Sequence, residues 1–244
     1  MRLLAWNVQS GGAKRATAIV DFVRALEPDV LVLTEVRGAS SSLLLRLADE
    51  GWRHQAVGEN AAGRGAAAVL SRSPIERRTT LAEADGAFPG RWVEAEVPDA
   101  GLSVVGIYGP LREERFDDFW RSALTGLAER RDRPVVAAGD MNTGESLRDA
   151  PDRNFFCSAH FAAAKQLGYV DAWRETHGGA AREYSWYSRG TGGVQLNGFR
   201  LDHALLSPAL APRLRDARYV HEARERKLSD HSPLLVELAE DERA

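Results

Sequence analysis

The sequence predicts an α/β protein built from two packed sheets with helices on their outer faces. Two observations carry this. Short apolar runs outnumber helical segments, and many follow one another directly, whereas a simple βαβ wind would alternate strictly. Polar residues of related chemistry then sit at or just past the ends of several runs, where buried strands deliver side chains to a sheet rim.

Leu3 to Val8 reads as the first strand. Lys14 to Leu26 has helical spacing, with Ile19, Phe22, Val23 and Leu26 on one face, and Pro28 stops it. Val30 to Glu35 is a buried strand. Ser41 or Ser42 can cap a helix through Glu50, ended by Gly51. Trp52 to Val57, Ala66 to Ser71, Trp92 to Val97 and Leu102 to Tyr108 read as strands. Glu113 to Arg130 is an amphipathic helix with Phe116, Phe119, Trp120 and Leu127 inward. Pro134 to Gly139 is a strand and His160 to Gly168 a helix. Ser185 to Tyr187, Leu201 to Ser207, Arg218 to His221 and Ser232 to Leu238 close the series. Residues 1–238 are expected to form one domain, with 239–244 as a frayed tail; no fixed repeat or low-complexity linker interrupts them.

At 244 residues the chain is long enough to bury a substantial core, and 44% apolar with 27% charged residues is the composition of a soluble globular protein. No run approaches the roughly 18 apolar residues of a membrane span. MRLLAWNVQS is not a signal peptide, because Asn7 interrupts its apolar stretch, so a cytoplasmic protein is expected. A monomer with no obligate protein partner is a separate expectation. The single cysteine, Cys157, excludes an internal disulfide and a cysteine-rich zinc site, and reads as a partly buried small hydrophobe. A net charge of -3 argues against duplex binding driven by bulk charge, though not against a local basic groove. Lysine occurs only at 14, 165 and 227, leaving 29 of 32 basic residues as arginine. Genome composition alone produces such a bias; bidentate phosphate recognition is the functional alternative.

The polar set consists of Asn7, Glu35, Asp140 with Asn142, Asp202, and Asp230 with His231. Carboxylates, amides and an imidazole at one rim make a site for a hard cation and a phosphate. Glu35 ends the run Val30 to Leu33 too far ahead of the next helix to be its cap, so it is the first expected metal ligand, with Asp230 the second. In Gly139-Asp140-Met141-Asn142, Asp140 can take a proton from an attacking water and Asn142 can orient that water; an Asx turn is the structural alternative. Asp202 can fix the tautomer of His231 at a developing phosphorane. His203, on the opposite strand face, is expected to be structural. Tyr108 ends Val104 to Ile107, where a phenol either bonds the scissile phosphate or simply packs. No P-loop, dinucleotide fingerprint, G-x-S-x-G or H-E-x-x-H motif is present.

At these residues the chain resembles the endonuclease/exonuclease/phosphatase superfamily, the DNase I-like fold. The matching pieces are WNVQ, LVLTEVR, GRGAAAVLSRSPI, VVGIYGP, AAGDMNTG, YSWYSRG, NGFRLDHALLS and LSDHSPL, in the family's order and over nearly the whole chain. The resemblance implies a four-layer α-β-β-α sandwich and Mg²⁺-dependent phosphoester hydrolysis, with Mn²⁺ expected to substitute. It implies Glu35 as metal ligand, Asp140 and Asn142 around the water, Asp202 with His231 at the phosphate, and Asn7 and Asp230 in the site. Tyr108 and the aromatic segment Tyr184, Trp186 and Tyr187 ahead of Arg200-Leu201-Asp202 look like the exonuclease III-type abasic-site endonucleases. There the aromatic and arginine loops approach DNA, which marks Trp186 and Arg200 as substrate contacts, with core packing as the alternative for the aromatics. Thr34 replaces the usual Gln, and residues 144–156 depart from the repair-enzyme pattern. The usual DNA-contacting lysines are absent, and Arg37, Arg112, Arg115, Arg182 and Arg189 can take their place.

The expected function is therefore magnesium-dependent cleavage of DNA, as an abasic-site endonuclease or 3′ exonuclease. The alternative keeps the chemistry and changes the substrate to a phospholipid headgroup or small nucleotide. A binding protein without activity would lack Glu35, Asp140 or His231, and all are present.

Overall fold

The structure, a computed structural model, describes residues 1–59, 65–78, 88, 90–111, 116–151, 155–191 and 195–240. The N-terminal half runs β1 (Arg2–Asn7), a 3-10 turn (Ser10–Arg15), α1 (Ala16–Leu26), β2 (Val30–Val36), α2 (Ser42–Asp49), β3 (His54–Val57), β4 (Ala66–Ser71), β5 (Glu76–Arg78), β6 (Trp92–Val97) and β7 (Leu102–Ile107). The remainder runs α3 (Phe116–Arg130), β8 (Val135–Asp140), α4 (Ser158–Gln166), β9 (Val170–Asp171), α5 (Ala172–His177), β10 (Trp186–Arg189), β11 (Gln195–Phe199), β12 (Asp202–Leu206), β13 (Leu214–Tyr219), α6 (Glu222–Glu225) and β14 (Leu234–Leu238).

Two six-stranded mixed sheets, ordered β13-β14-β1-β2-β4-β3 and β5-β6-β7-β8-β12-β9, lie face to face. Three apolar clusters make the layers explicit. The inner one joins Leu3, Ala5, Val32 and Val69 of the first sheet to Val93, Val104, Val136 and Ala204 of the second. A second packs Leu4, Trp6, Leu31 and Leu33 against Ile19 and Phe22 of α1 and Leu43 and Leu47 of α2. The third packs Trp92, Val105, Ile107 and Ala137 against Phe119, Trp120 and Leu127 of α3 and Phe161 of α4. Strands buried on both faces read as unbroken apolar runs, which is why β1, β2, β7 and β8 were visible in the sequence. The expected α-β-β-α sandwich is the architecture observed.

Boundaries differ where backbone chemistry intervenes. The first helix starts at Ala16 rather than Lys14, because Gly11 and Gly12 take left-handed conformations that close the preceding turn. Ser41 caps α2 by accepting the Leu44 N–H. Trp52 lies ahead of β3, with its indole donating to the Pro28 carbonyl at 3.0 Å and the Arg72 guanidinium 3.9 Å over its ring. Glu113 to Arg115 of the expected third helix, and residues 241–244 of the expected tail, lie outside the described residues. Ala239 is not loose, since its N–H donates to the Arg213 carbonyl at 2.7 Å. The short polar elements β5, β9, β11, α5 and α6 had no periodic signal to reveal them. Among the described residues no helix is long and apolar enough to cross a membrane.

Topology then fixes the site. β1 and β2 are parallel, as are β7 and β8, so the C-terminal ends of each pair meet at one rim. β12 runs antiparallel to β8 with Asp202 opposite Asp140, and β14 runs antiparallel to β1, so both begin at that rim. The small β10–β11 hairpin joins it through a bridge between Trp186 and His231.

Candidate active site

Asn7 is the last residue of β1, and its buried amide links the two sheets. Its Nδ2 donates to Glu35 Oε1 at 3.1 Å and to Asp140 Oδ2 at 2.8 Å. Its Oδ1 accepts the Gln9 N–H, which fixes the rotamer.

Glu35 reaches the rim through a bulge. The β2–β4 register shifts between Leu33 and Val36, and Glu35 adopts a left-handed φ of 62°. A bulge re-aims one side chain without ending the strand, and a left-handed non-glycine residue is strain of the kind found at functional positions. Gly65 makes room for it: a Cβ there would lie 2.8 Å from the Glu35 Cα. The Ser10 N–H donates to Glu35 Oε2 at 2.6 Å, and the Tyr108 hydroxyl lies 3.5 Å from Oε1. Burial, then the charge of Glu35, push the Tyr108 phenol well above its ordinary pKa, so it stays a donor. The Arg91 guanidinium covers its ring at 4.8 Å.

Asp140 ends β8. Gly139 before it has a φ of 135°, and a Cβ there would meet the Ile107 carbonyl at 2.2 Å. Asp140 Oδ1 accepts the Asn142 N–H at 3.0 Å, which is the Asx turn, while Oδ2 takes Asn7. The turn and the site coexist on one carboxylate. Burial pushes Asp140 up to about 7 against the opposing pull of the His231 charge. Asn142, itself left-handed at φ 50°, spends one amide proton on the Gly109 carbonyl at 2.9 Å.

His231 Nδ1 lies 2.8 Å from Asp202 Oδ2, which leaves Nε2 to the cleft. Burial alone would depress the imidazole, but the charge and hydrogen bond of Asp202 override it and raise it to about 10. Several groups hold this pair. Ser229 Oγ accepts the His231 N–H and donates to the Asn7 carbonyl, Trp6 Nε1 donates to the His231 carbonyl, and Tyr219 donates to the Asp202 carbonyl. Asp202 Oδ1 is buried with no hydrogen-bond partner among the described residues. Asp230 is half-buried and accepts from Trp186 Nε1 at 3.1 Å.

These residues line one cleft of about 790 Å³, whose wall includes Glu35, Tyr108, Asp140, Asn142, Asp230 and His231. Among the described residues, one donor atom each of Asp140, Asp202 and His231 lies within 4.8 Å of the others, and Glu35 and Asp230 stand on the wall of the same cleft. The apolar side of the cleft is Leu111, Phe155, Phe156, Trp186, Phe199 and Leu201. Sequence reasoning missed Phe155 and Phe156; adjacent aromatics in an otherwise polar stretch were the available signal.

The proposed substrate contacts divide. Trp186 lines the cleft, its ring 5.7 Å from that of Phe199. Arg189 lines an adjoining hollow of about 560 Å³ with Tyr187 and Asp230. Arg37 is exposed with its stem over Gly11, and exposed Arg182 donates to the Leu147 carbonyl. Arg112 and Arg115 lie outside the described residues. Arg200 requires correction: it is 1% exposed and forked between Asp149 and Asp171 at 2.7–2.9 Å. Four of its N–H groups donate to acids on other segments, so it braces the fold beneath the site instead of touching substrate. His203 belongs to the same network, bonded to Asp171 and to the Thr143 carbonyl.

Comparison with known proteins gives a consistent picture. The pattern of the Endonuclease/Exonuclease/phosphatase family matches residues 4–231. A DNA repair nuclease of Danio rerio is 26% identical over 98% of this chain and 82% of its own length. A DNA-(apurinic or apyrimidinic site) endonuclease of Dictyostelium discoideum is 23% identical over 86% of this chain and 63% of its own. Among solved structures, an AP endonuclease from Archaeoglobus fulgidus superposes with a TM-score of 0.82 at 24% identity, covering 98% of this chain and 99% of that one. A 3′-5′ exonuclease from Neisseria meningitidis gives 0.81 at 25% identity, covering 98% and 100%.

Proposed function

The chain belongs to the endonuclease/exonuclease/phosphatase family and is a hydrolase acting on phosphoric esters, and from this premise we propose that it cleaves DNA phosphodiester bonds as an abasic-site endonuclease or 3′ exonuclease. One observation carries the reading: the Asn7 amide bridges Glu35 and Asp140, in a cleft that His231 and Asp230 also line. The abasic-site endonuclease and 3′-5′ exonuclease named among its relatives support the choice of substrate.

The donor set fits a hard cation. Glu35, Asp140 and Asp230 line the cleft, while Asp202 keeps an unpartnered buried oxygen beside them. Three carboxylates facing one imidazole would repel a phosphodiester unless a cation stood between them. Glu35 and Asp230 would hold Mg²⁺, with Mn²⁺ able to replace it. When bound, the ion polarises the phosphoryl group and neutralises charge on the leaving oxygen.

The chain's own residues supply the rest. Asp140, held by Asn7 and by the Asn142 N–H, takes a proton from the attacking water. His231, kept protonated by Asp202, donates through Nε2 to a non-bridging oxygen as charge grows on phosphorus. Tyr108 donates its hydroxyl at the same face. The apolar wall of Phe155, Phe156, Phe199 and Leu201 suits a sugar without its base, and Trp186 offers a stacking surface. Residues 1–238 act as one domain, because both sheets contribute to the inner core.

Duplexes with and without one abasic site, assayed in Mg²⁺, test the reading. Wild type should cut the abasic duplex, and Asp140→Asn should abolish cutting while keeping the same circular dichroism. Undiminished cleavage by Asp140→Asn would overturn the assignment. The net charge of -3 and three lysines favour a second reading, a small nucleotide or lipid headgroup as substrate. Turnover of such a phosphoester without cleavage of the abasic duplex would establish it instead.

A further inference from the structure

Three side chains of different chemistry converge away from the catalytic carboxylates. Asp117 lies in the first turn of α3, and Cys157 and His160 lie at the start of α4. One atom, Asp117 Oδ1, is 3.1 Å from His160 Nε2 and 3.8 Å from Cys157 Sγ. One donor atom from each residue falls within 4.8 Å of the others. Cys157 precedes the helix as its left-handed N-cap and His160 lies in its first turn, and Asp117 Oδ1 lies between them.

The separations can be compared with those of a tetrahedral zinc site. With a single sulfur, bonds of about 2.3 Å to sulfur and about 2.0 Å to nitrogen or oxygen put neighbouring donors roughly 3.3–3.5 Å apart. The observed 3.1 and 3.8 Å straddle that range. A bare thiol gains little in this position, because burial and then the Asp117 charge push Cys157 up to about 11. A divalent cation reverses that balance by replacing the thiol proton, which passes to solvent, and by pairing with the carboxylate.

We propose that Asp117, Cys157 and His160 form a second metal site, for a thiophilic divalent cation such as Zn²⁺. Thiolate and imidazole select zinc or cobalt over magnesium, so the site is chemically separate from the oxygen-rich catalytic cleft. Three protein ligands leave a fourth position to water, which makes the ion exchangeable rather than structural. Its place gives it a consequence. Phe155 and Phe156 on the cleft wall immediately precede Cys157, and Asp117 belongs to the helix that packs on the second sheet. An ion here fastens the aromatic wall of the cleft to α3.

The lone thiol makes the test clean, since any thiolate–metal band must come from Cys157. Metal-free protein is titrated with Co²⁺ in the presence of excess Mg²⁺, which occupies oxygen sites but not thiolates. The expected result is a thiolate-to-cobalt charge-transfer band that saturates at one equivalent and is displaced by Zn²⁺. Cys157→Ser should lose the band, and His160→Gln should weaken binding by about tenfold or more. Zn²⁺ should also protect Cys157 from alkylation in wild type and not in His160→Gln, with circular dichroism confirming that each variant is folded. Absence of the band in large Co²⁺ excess, or equal affinity in wild type, Asp117→Asn and His160→Gln, would overturn the proposal. The first outcome leaves only a histidine–aspartate hydrogen bond beside a thiol, the second a thiol binding metal alone.

Discussion

Asn7 carries no charge, yet two carboxylates depend on it for their relative position. One amide nitrogen holds Glu35 and Asp140 from opposite sheets. Asn7→Ala should leave two like charges facing each other and lower turnover by on the order of 10²-fold, as small displacements in a catalytic constellation do. Asn7→Asp should cost more, by adding a third carboxylate between them; single-turnover cleavage of the abasic duplex measures both. Proton inventory gives a second prediction at this scale. A base must be ionised to act and a donor must be protonated. kcat/KM should therefore rise with pH as Asp140 titrates near 7 and fall as His231 titrates near 10. The falling limb should vanish in His231→Gln, and its persistence would assign the alkaline loss to another group.

At the scale of elements, the β2 bulge and the buried arginine decide what the site can be. Gly65→Ala would place a methyl 2.8 Å from the Glu35 Cα. The bulge must then shift, so activity should fall and the apparent metal affinity should weaken, while the melting temperature changes little. A Gly65→Ala enzyme with wild-type metal dependence would show that Glu35 does not need this geometry. Arg200 is the opposite case, a structural group beside a catalytic strand. Its removal leaves Asp149 with Arg174 alone and Asp171 with only His203 beside it, and breaking a buried pair costs about 3–5 kcal/mol. Arg200→Met should lower the melting temperature by roughly 6–20 °C for a chain of this size. The same residue marks the boundary of what could be read from sequence. Strands buried on both faces announced themselves as apolar runs, and their polar termini announced the rim. Arg200 stood beside Asp202 and read as a surface contact, because its acidic partners are 51 and 29 residues away and pairing leaves no local trace. β5 and β11 were illegible for a related reason: exposed or half-exposed strands such as Glu76–Arg78 owe their pairing to a neighbour and not to their own pattern.

The whole molecule joins two ion networks that respond to pH with opposite sign. Burial alone would raise Asp149 and Asp171, but the Arg200 charge overrides it and holds both below the ordinary carboxylate range. A depressed folded pKa gives stability that is present above the unfolded value near 3.8 and lost as pH falls further. Asp140 and His231 work the other way. Each is raised by folding, Asp140 to about 7 and His231 to about 10, so the native state binds more protons there than the unfolded chain. Stability then declines as pH rises from near 4 through 7 on account of Asp140, and from near 6.5 toward 10 on account of His231. The metal-free protein should accordingly melt highest in mildly acidic buffer and lose stability on both sides. Asp140→Asn removes a buried carboxylate that the catalytic cleft keeps at a cost. In a chelator at pH 8 that variant should be more stable than wild type by on the order of 1–3 kcal/mol and melt correspondingly higher. Below pH 6, where the wild-type carboxyl is itself protonated, the gap should close. Calorimetric scans of the two proteins across this range decide the matter: an Asp140→Asn protein less stable than wild type at pH 8 would mean that the carboxylate contributes to the fold, and that burial and charge at the rim are not opposed.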